Sequence, residues 1–134
     1  MRSASASVLL LFVVLIATAA GRASQDRSVN DGVYGDAQAE RGKVMFERTC
    51  TSCHDTNRFT GEAFLETWAG QPLAELYNVI RTTMPEDNPG TLKPQQYADV
   101  VTFILKLNGF IAGQDELGAT DAAMKAVRME KPRK

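Results

Sequence analysis

Cys50, Thr51, Ser52, Cys53 and His54 follow one another directly. This pentapeptide holds both cysteines and the single histidine of the 134-residue chain. Random placement of two cysteines and one histidine would produce it roughly once in ten thousand shuffles, so chance is a poor explanation. Two thiols three positions apart lie on one short turn, where they can add to the two vinyl groups of a haem. The imidazole that follows then lies beneath the ring, with a nitrogen available to the iron. C-x-x-C-H is thus the spacing of covalent haem attachment, with Cys50 and Cys53 as thioether positions and His54 as an iron ligand. Other chemistries fit less well. A structural zinc site needs four ligands, and the chain has three Cys and His residues. A thioredoxin-type pair belongs beside a βαβ pattern, which is missing here. A plain Cys50–Cys53 disulfide, in a secreted interaction protein without haem, leaves His54 unexplained.

With one histidine, bis-histidine ligation is impossible, so the far side of the iron needs a methionine, or failing that a lysine. Met1 precedes the mature chain, Met45 lies too near Cys50 to cross the ring, and Met124 and Met129 are in the tail. Met84 remains, at the start of an irregular stretch, where backbone shape can aim a thioether. The competing reading is that Met84 fills the core, as most methionines do. A thioether favours ferrous iron and closes the sixth position, which suits outer-sphere electron transfer rather than catalysis at the metal. The alternative is a haem enzyme or gas-binding protein with that position open. Without a distal histidine, peroxide cleavage lacks its usual assistant.

The elements that must position these residues can be read from periodicity and punctuation. Arg2 precedes an apolar run from Val8 to Ala17 and then small residues, which describes a secretory signal peptide over residues 1–23. Retention of that segment as a membrane anchor is the alternative. Removing it with Arg2 and Arg22 leaves 13 basic against 16 acidic groups, a surface that gives no reason to expect nucleic acid binding. Residues 24–35 are polar and glycine-containing and read as a flexible leader. Asp36 is placed to cap a helix from about Ala37 to Thr49, in which Gly42 is costly unless another element approaches closely. Phe64 and Trp68 share a face of a short helix after Gly61. Leu73, Leu76, Val79 and Ile80 recur at helical spacing after Pro72, and residues 82–91, with Pro85, Pro89 and Gly90, form an irregular loop. Pro94 opens the clearest helix, striped by Tyr97, Val100, Val101 and Ile104 and stopped by Asn108-Gly109. Thr120 caps a short helix in the tail. The result is an all-α protein of four or five helices. Its small core predicts that the chain without haem is poorly structured.

With these residues placed, the chain resembles the class I monohaem cytochromes c over residues 36–112, followed by a C-terminal extension, residues 113–134. Gly42, Phe46, Cys50-Thr51-Ser52-Cys53-His54, Met84-Pro85 and Phe103-Ile104-Leu105 carry the resemblance. The run Thr83-Met84-Pro85 through Pro89-Gly90-Thr91-Leu92, then Tyr97 to Val101 and Asn108-Gly109, is similar to cytochrome domains that accompany bacterial quinoprotein alcohol dehydrogenases. The resemblance implies four to five helices wrapped around one covalent haem c. It also implies His54 and Met84 as axial ligands, a periplasmic location, and an electron carrier or dehydrogenase subunit rather than an enzyme. Its partners would be a periplasmic dehydrogenase as donor and an oxidase or another cytochrome as acceptor. In that family the first and last helices cross at a small residue, here Gly42 beneath Val100 or Phe103. Two departures stand out. No proline lies between His54 and Pro72 to orient the histidine through its carbonyl, so another carbonyl is expected to do so. The basic face of the mitochondrial protein is also missing. Trp68 is open to two roles, a hydrogen bond to a haem propionate or plain packing on Phe64. Tyr77 and Tyr97 read as core or rim residues first, and Arg81 as a weak candidate to pair with a propionate.

Overall fold

The computed structural model describes residues 26–133, so the expected signal segment lies outside the described residues. Five α-helices carry the chain: α1 (Asp36–Thr49), α2 (Gly61–Trp68), α3 (Leu73–Thr83), α4 (Pro94–Leu107) and α5 (Asp121–Lys125). The only regular strands among the described residues are β1 (Arg27–Ser28) and β2 (Val127–Arg128), paired in parallel. This is the all-α cytochrome c architecture expected. Among the described residues no helix is long and apolar enough to cross a membrane.

Helix α4 is the centre of the molecule. Pro94 supplies a preset φ at the first helical position, where no intrahelical N–H bond is lost. The Gln96 side chain accepts the Lys93 backbone N–H at 2.8 Å. Every residue from Tyr97 to Leu105 is buried, because α4 has neighbours on more than one side. Each fully buried aliphatic side chain there contributes about 1.5–3 kcal/mol relative to exposure.

Helix α1 crosses α4 at Gly42. A Cβ at Gly42 would sit 1.8 Å from the Asp99 carbonyl oxygen and 3.1 Å from the Phe103 Cβ. The glycine is therefore required by contact, and its propensity penalty is offset by close helix packing. The contact falls on the Asp99 backbone and Phe103 rather than on Val100. Asp99 itself is buried but paired, with Arg41 at 3.1 Å and Gln95 at 2.9 Å.

Two boundaries differ from expectation. Gly35, not Asp36, is the residue before the first helical turn, and Asp36 is the first residue of α1, where a carboxylate favours the helix dipole. Helix α3 runs on through Thr83, so the irregular loop begins at Met84.

The larger correction concerns the segment before α1. It is not a flexible leader from Asp26 onward. Val29, Val33 and Tyr34 are fully buried, and the Tyr34 hydroxyl donates to the Phe110 carbonyl at 2.6 Å. Its polar composition concealed these three apolar anchors, which alternate with turn residues rather than forming a run. The partner of this segment is the C-terminal extension. Gly113 N–H donates to the Tyr34 carbonyl at 2.7 Å, and a Cβ at Gly113 would lie 2.0 Å from the Gly32 carbonyl oxygen. The Gln38 amide spans the Leu117 backbone, donating to its carbonyl at 2.9 Å and accepting its N–H at 2.7 Å. Met129 exchanges backbone bonds with Gly70 and Gln71, both at 2.8 Å. The two ends of the described chain thus close on each other at the back of the molecule, against Gln38 of α1 and the link between α2 and α3.

Candidate functional site

The haem-attachment motif sits where α1 runs out. Cys50 N–H still donates to the Phe46 carbonyl at 2.8 Å, and His54 N–H closes on the Cys50 carbonyl at 2.9 Å. The motif is therefore one further turn of chain rather than an open loop. Asp55 then accepts the Asn57 N–H at 2.8 Å and starts a 3-10 turn at Thr56–Phe59. That turn brings the Phe59 ring edge-on to the His54 imidazole, centroids 5.5 Å apart at 86°, and edge-on to Phe46 at 5.5 Å. Asn108, just past α4, fixes the turn by donating to the Phe59 carbonyl at 2.8 Å and accepting the Gly61 N–H at 3.2 Å.

Beside the motif opens a cavity of about 1210 Å³ whose walls include Cys50, Cys53, His54 and Met84. Protein interiors are close-packed, with few voids larger than a water molecule, so this volume is not a packing defect. It is also larger than most small-ligand pockets. Phe46, Phe64, Ile80, Leu92, Val100 and Ile104 supply its apolar surface. The residues fit a haem. Two free thiols and an imidazole stand together at one end of the space, the remaining walls are mostly apolar, and a thioether lines it from a separate loop. Burial pushes the Cys50 thiol pKa up, while Cys53 is exposed.

One expectation fails at the histidine. His54 Nδ1 is buried and has no hydrogen-bond partner among the described residues. Among the described residues no carbonyl takes the place of the missing proline's. The imidazole packs T-shaped against Phe59.

The remaining candidates divide. Trp68 lines the cavity, half-buried and tilted on Phe64, and its indole N–H donates to no described residue. Tyr97 lines the cavity, whereas Tyr77 does not, and the Tyr77 hydroxyl donates to the Ala119 carbonyl at 3.1 Å. Arg81 also lies off the cavity, its guanidinium 5.6 Å from the Tyr77 ring centroid and hydrogen-bonded to Asn78. The cationic groups on the cavity walls are Arg48 and Arg58. Sequence reasoning passed over both, because an arginine beside a motif looks like any solvated charge until the wall is seen.

A helical fold around one large apolar cavity, with C-x-x-C-H at its edge, defines a class I monohaem cytochrome c. Residues 37–104, just over half of the chain, match the family model described as cytochrome c oxidase, cbb3-type, subunit III, and the chain belongs to that cytochrome c family. A search of curated proteins and a search of solved structures each gave no match. Membership carries a covalently bound haem c, electron transfer as the general role, and redox proteins as partners.

Proposed function

We propose that the protein is a periplasmic one-electron carrier or the cytochrome subunit of a dehydrogenase. Its haem c is attached at Cys50 and Cys53 and ligated by His54 and Met84. The observation that carries this reading is that all four residues stand in the walls of one mostly apolar cavity. The iron supplies a one-electron couple, which imidazole and thioether ligation shifts upward relative to two nitrogen ligands. The chain's own residues do the rest. Phe59 packs T-shaped on the His54 ring. Phe46, Phe64, Ile80 and Leu92 exclude water, so little solvent reorganises when charge changes. Arg48 and Arg58 offer positive charge to the propionates, and Trp68 offers an N–H.

The donor is a periplasmic dehydrogenase of the quinoprotein type, in keeping with the run from Thr83 to Leu92. The acceptor is an oxidase or another cytochrome, and the family description, which names an oxidase subunit, supports the oxidase. Export by residues 1–23 fits the need to attach haem outside the cytoplasm.

The ferric protein is expected to show a weak band near the red end of the visible spectrum, from sulfur–iron bonding, that disappears in Met84→Ala. An unchanged Met84→Ala spectrum would remove Met84 as ligand. Rapid carbon monoxide binding by the native ferrous protein would favour the open-site reading, a haem enzyme or gas-binding protein. Co-purification with a dehydrogenase tests the donor.

A further inference from the structure

Resting on the Met84 ligation proposed above, we infer that Tyr97 is the residue that positions the Met84 loop and sets how firmly the thioether is held. The Tyr97 phenol is 1% exposed and stands on the first turn of α4, the most buried helix, so its oxygen has little freedom. That oxygen donates to the Met84 carbonyl at 2.8 Å and lies 3.4 Å from the Leu92 N–H, which it accepts. The Gly90 N–H also reaches the Met84 carbonyl, at 3.4 Å. Both ends of the loop from Met84 to Leu92 are thereby referred to one atom on a rigid helix.

The consequence follows from the ligand's own flexibility. A methionine side chain has three rotatable bonds, so its sulfur is aimed chiefly by where the backbone holds its Cα. Replacing the thioether by an outside ligand requires the loop to leave α4, and leaving breaks the Tyr97 bonds. Removing the hydroxyl lowers that cost by about one buried hydrogen bond, equivalent to roughly tenfold in an equilibrium constant. Tyr97 touches neither iron nor electron; it acts through Met84.

The test is imidazole titration of ferric holoprotein, followed by its visible spectrum, in wild type, Tyr97→Phe, Tyr34→Phe and Met84→Ala. Tyr97→Phe is expected to retain the sulfur–iron band without imidazole and to bind imidazole about tenfold more tightly than wild type. Tyr34→Phe removes a fully buried hydroxyl away from the loop, where it donates to the Phe110 carbonyl at 2.6 Å. It is expected to lower thermal stability and leave imidazole affinity unchanged. Wild-type affinity in Tyr97→Phe, or the same tightening in Tyr34→Phe, overturns the inference. A Met84→Ala spectrum identical to wild type instead overturns the ligation on which it rests, so the two failures are distinct. Should Tyr97→Phe yield no haem-loaded protein, amide exchange in the wild type decides. A protected Leu92 N–H supports the inference, and exchange at the rate of open chain overturns it.

Discussion

The back of the molecule and the cavity side solve opposite problems. On the back, the segment from Arg27 to Tyr34 and the extension from Phe110 to Met129 close on each other through backbone pairs, the Gln38 amide and two facing glycines. On the cavity side, α2, α3 and the Met84 loop present aromatic and aliphatic side chains to a large space, and one buried imidazole nitrogen is left without a partner. The back is complete with protein atoms alone. The cavity side is complete only with the haem, whose flat apolar surface replaces the side chains that the core lacks. A small domain of this length buries proportionally little surface, and the two regions are two remedies for that shortage.

The sharpest way to break the contrast is at the crossing both sides share. Gly42→Ala places a methyl group 1.8 Å from a backbone carbonyl, so α1 and α4 must separate. The gain in helix propensity, about 1 kcal/mol, is outweighed by overpacking, and a net loss of about 3 kcal/mol in denaturant unfolding of the holoprotein is expected. Near-wild-type stability would show that the crossing is not as close as described.

A more selective break is Gln38→Ala. It leaves the buried Leu117 N–H and carbonyl unpaired and is expected to cost about 2 kcal/mol, with the haem spectrum unchanged. A changed spectrum would mean that the back is not independent of the cavity.

The smallest effect lies in the surface bridge of Lys106 with Glu40 and Asp36, which also ties α1 to α4. The hydrogen bond from Lys106 holds the Glu40 carboxyl below its usual value. A depressed carboxylate pKa stabilises the fold above the unfolded-state value, and that contribution fades as pH falls through the folded-state value. A slight loss of melting temperature on acidification through the carboxylate range should be blunted in Glu40→Gln and by added salt. An equal acid response in Glu40→Gln would assign the loss to other groups.

Much of the cavity side was legible in the sequence, because its chemistry demands particular residue types at particular spacing. Cys50, Cys53 and His54 are local to one turn, and Pro94 and Asn108-Gly109 punctuate α4 as their backbone preferences require. Gly42 announced a close approach by its cost, although only the fold shows that the Asp99 carbonyl is the atom approached. The back was largely illegible. Val29, Val33 and Tyr34 are single apolar residues in a polar segment, and the hydroxyl partner of Tyr34 at Phe110 lies 76 positions away, where no local pattern can point to it. The loss of a carbonyl partner for His54 was half legible: the missing proline was visible, but the T-shaped contact with Phe59 depends on a turn and on Asn108.

Hydrogen exchange of the holoprotein against a Cys50→Ala/Cys53→Ala variant, which cannot attach haem, measures the division most directly. Protection is expected to fall in α2, α3 and the loop from Met84 to Leu92, and to persist at the amides of Gly113 and Leu117. Uniform loss of protection, or none, would contradict a molecule in which one side is closed by its own backbone and the other by its haem.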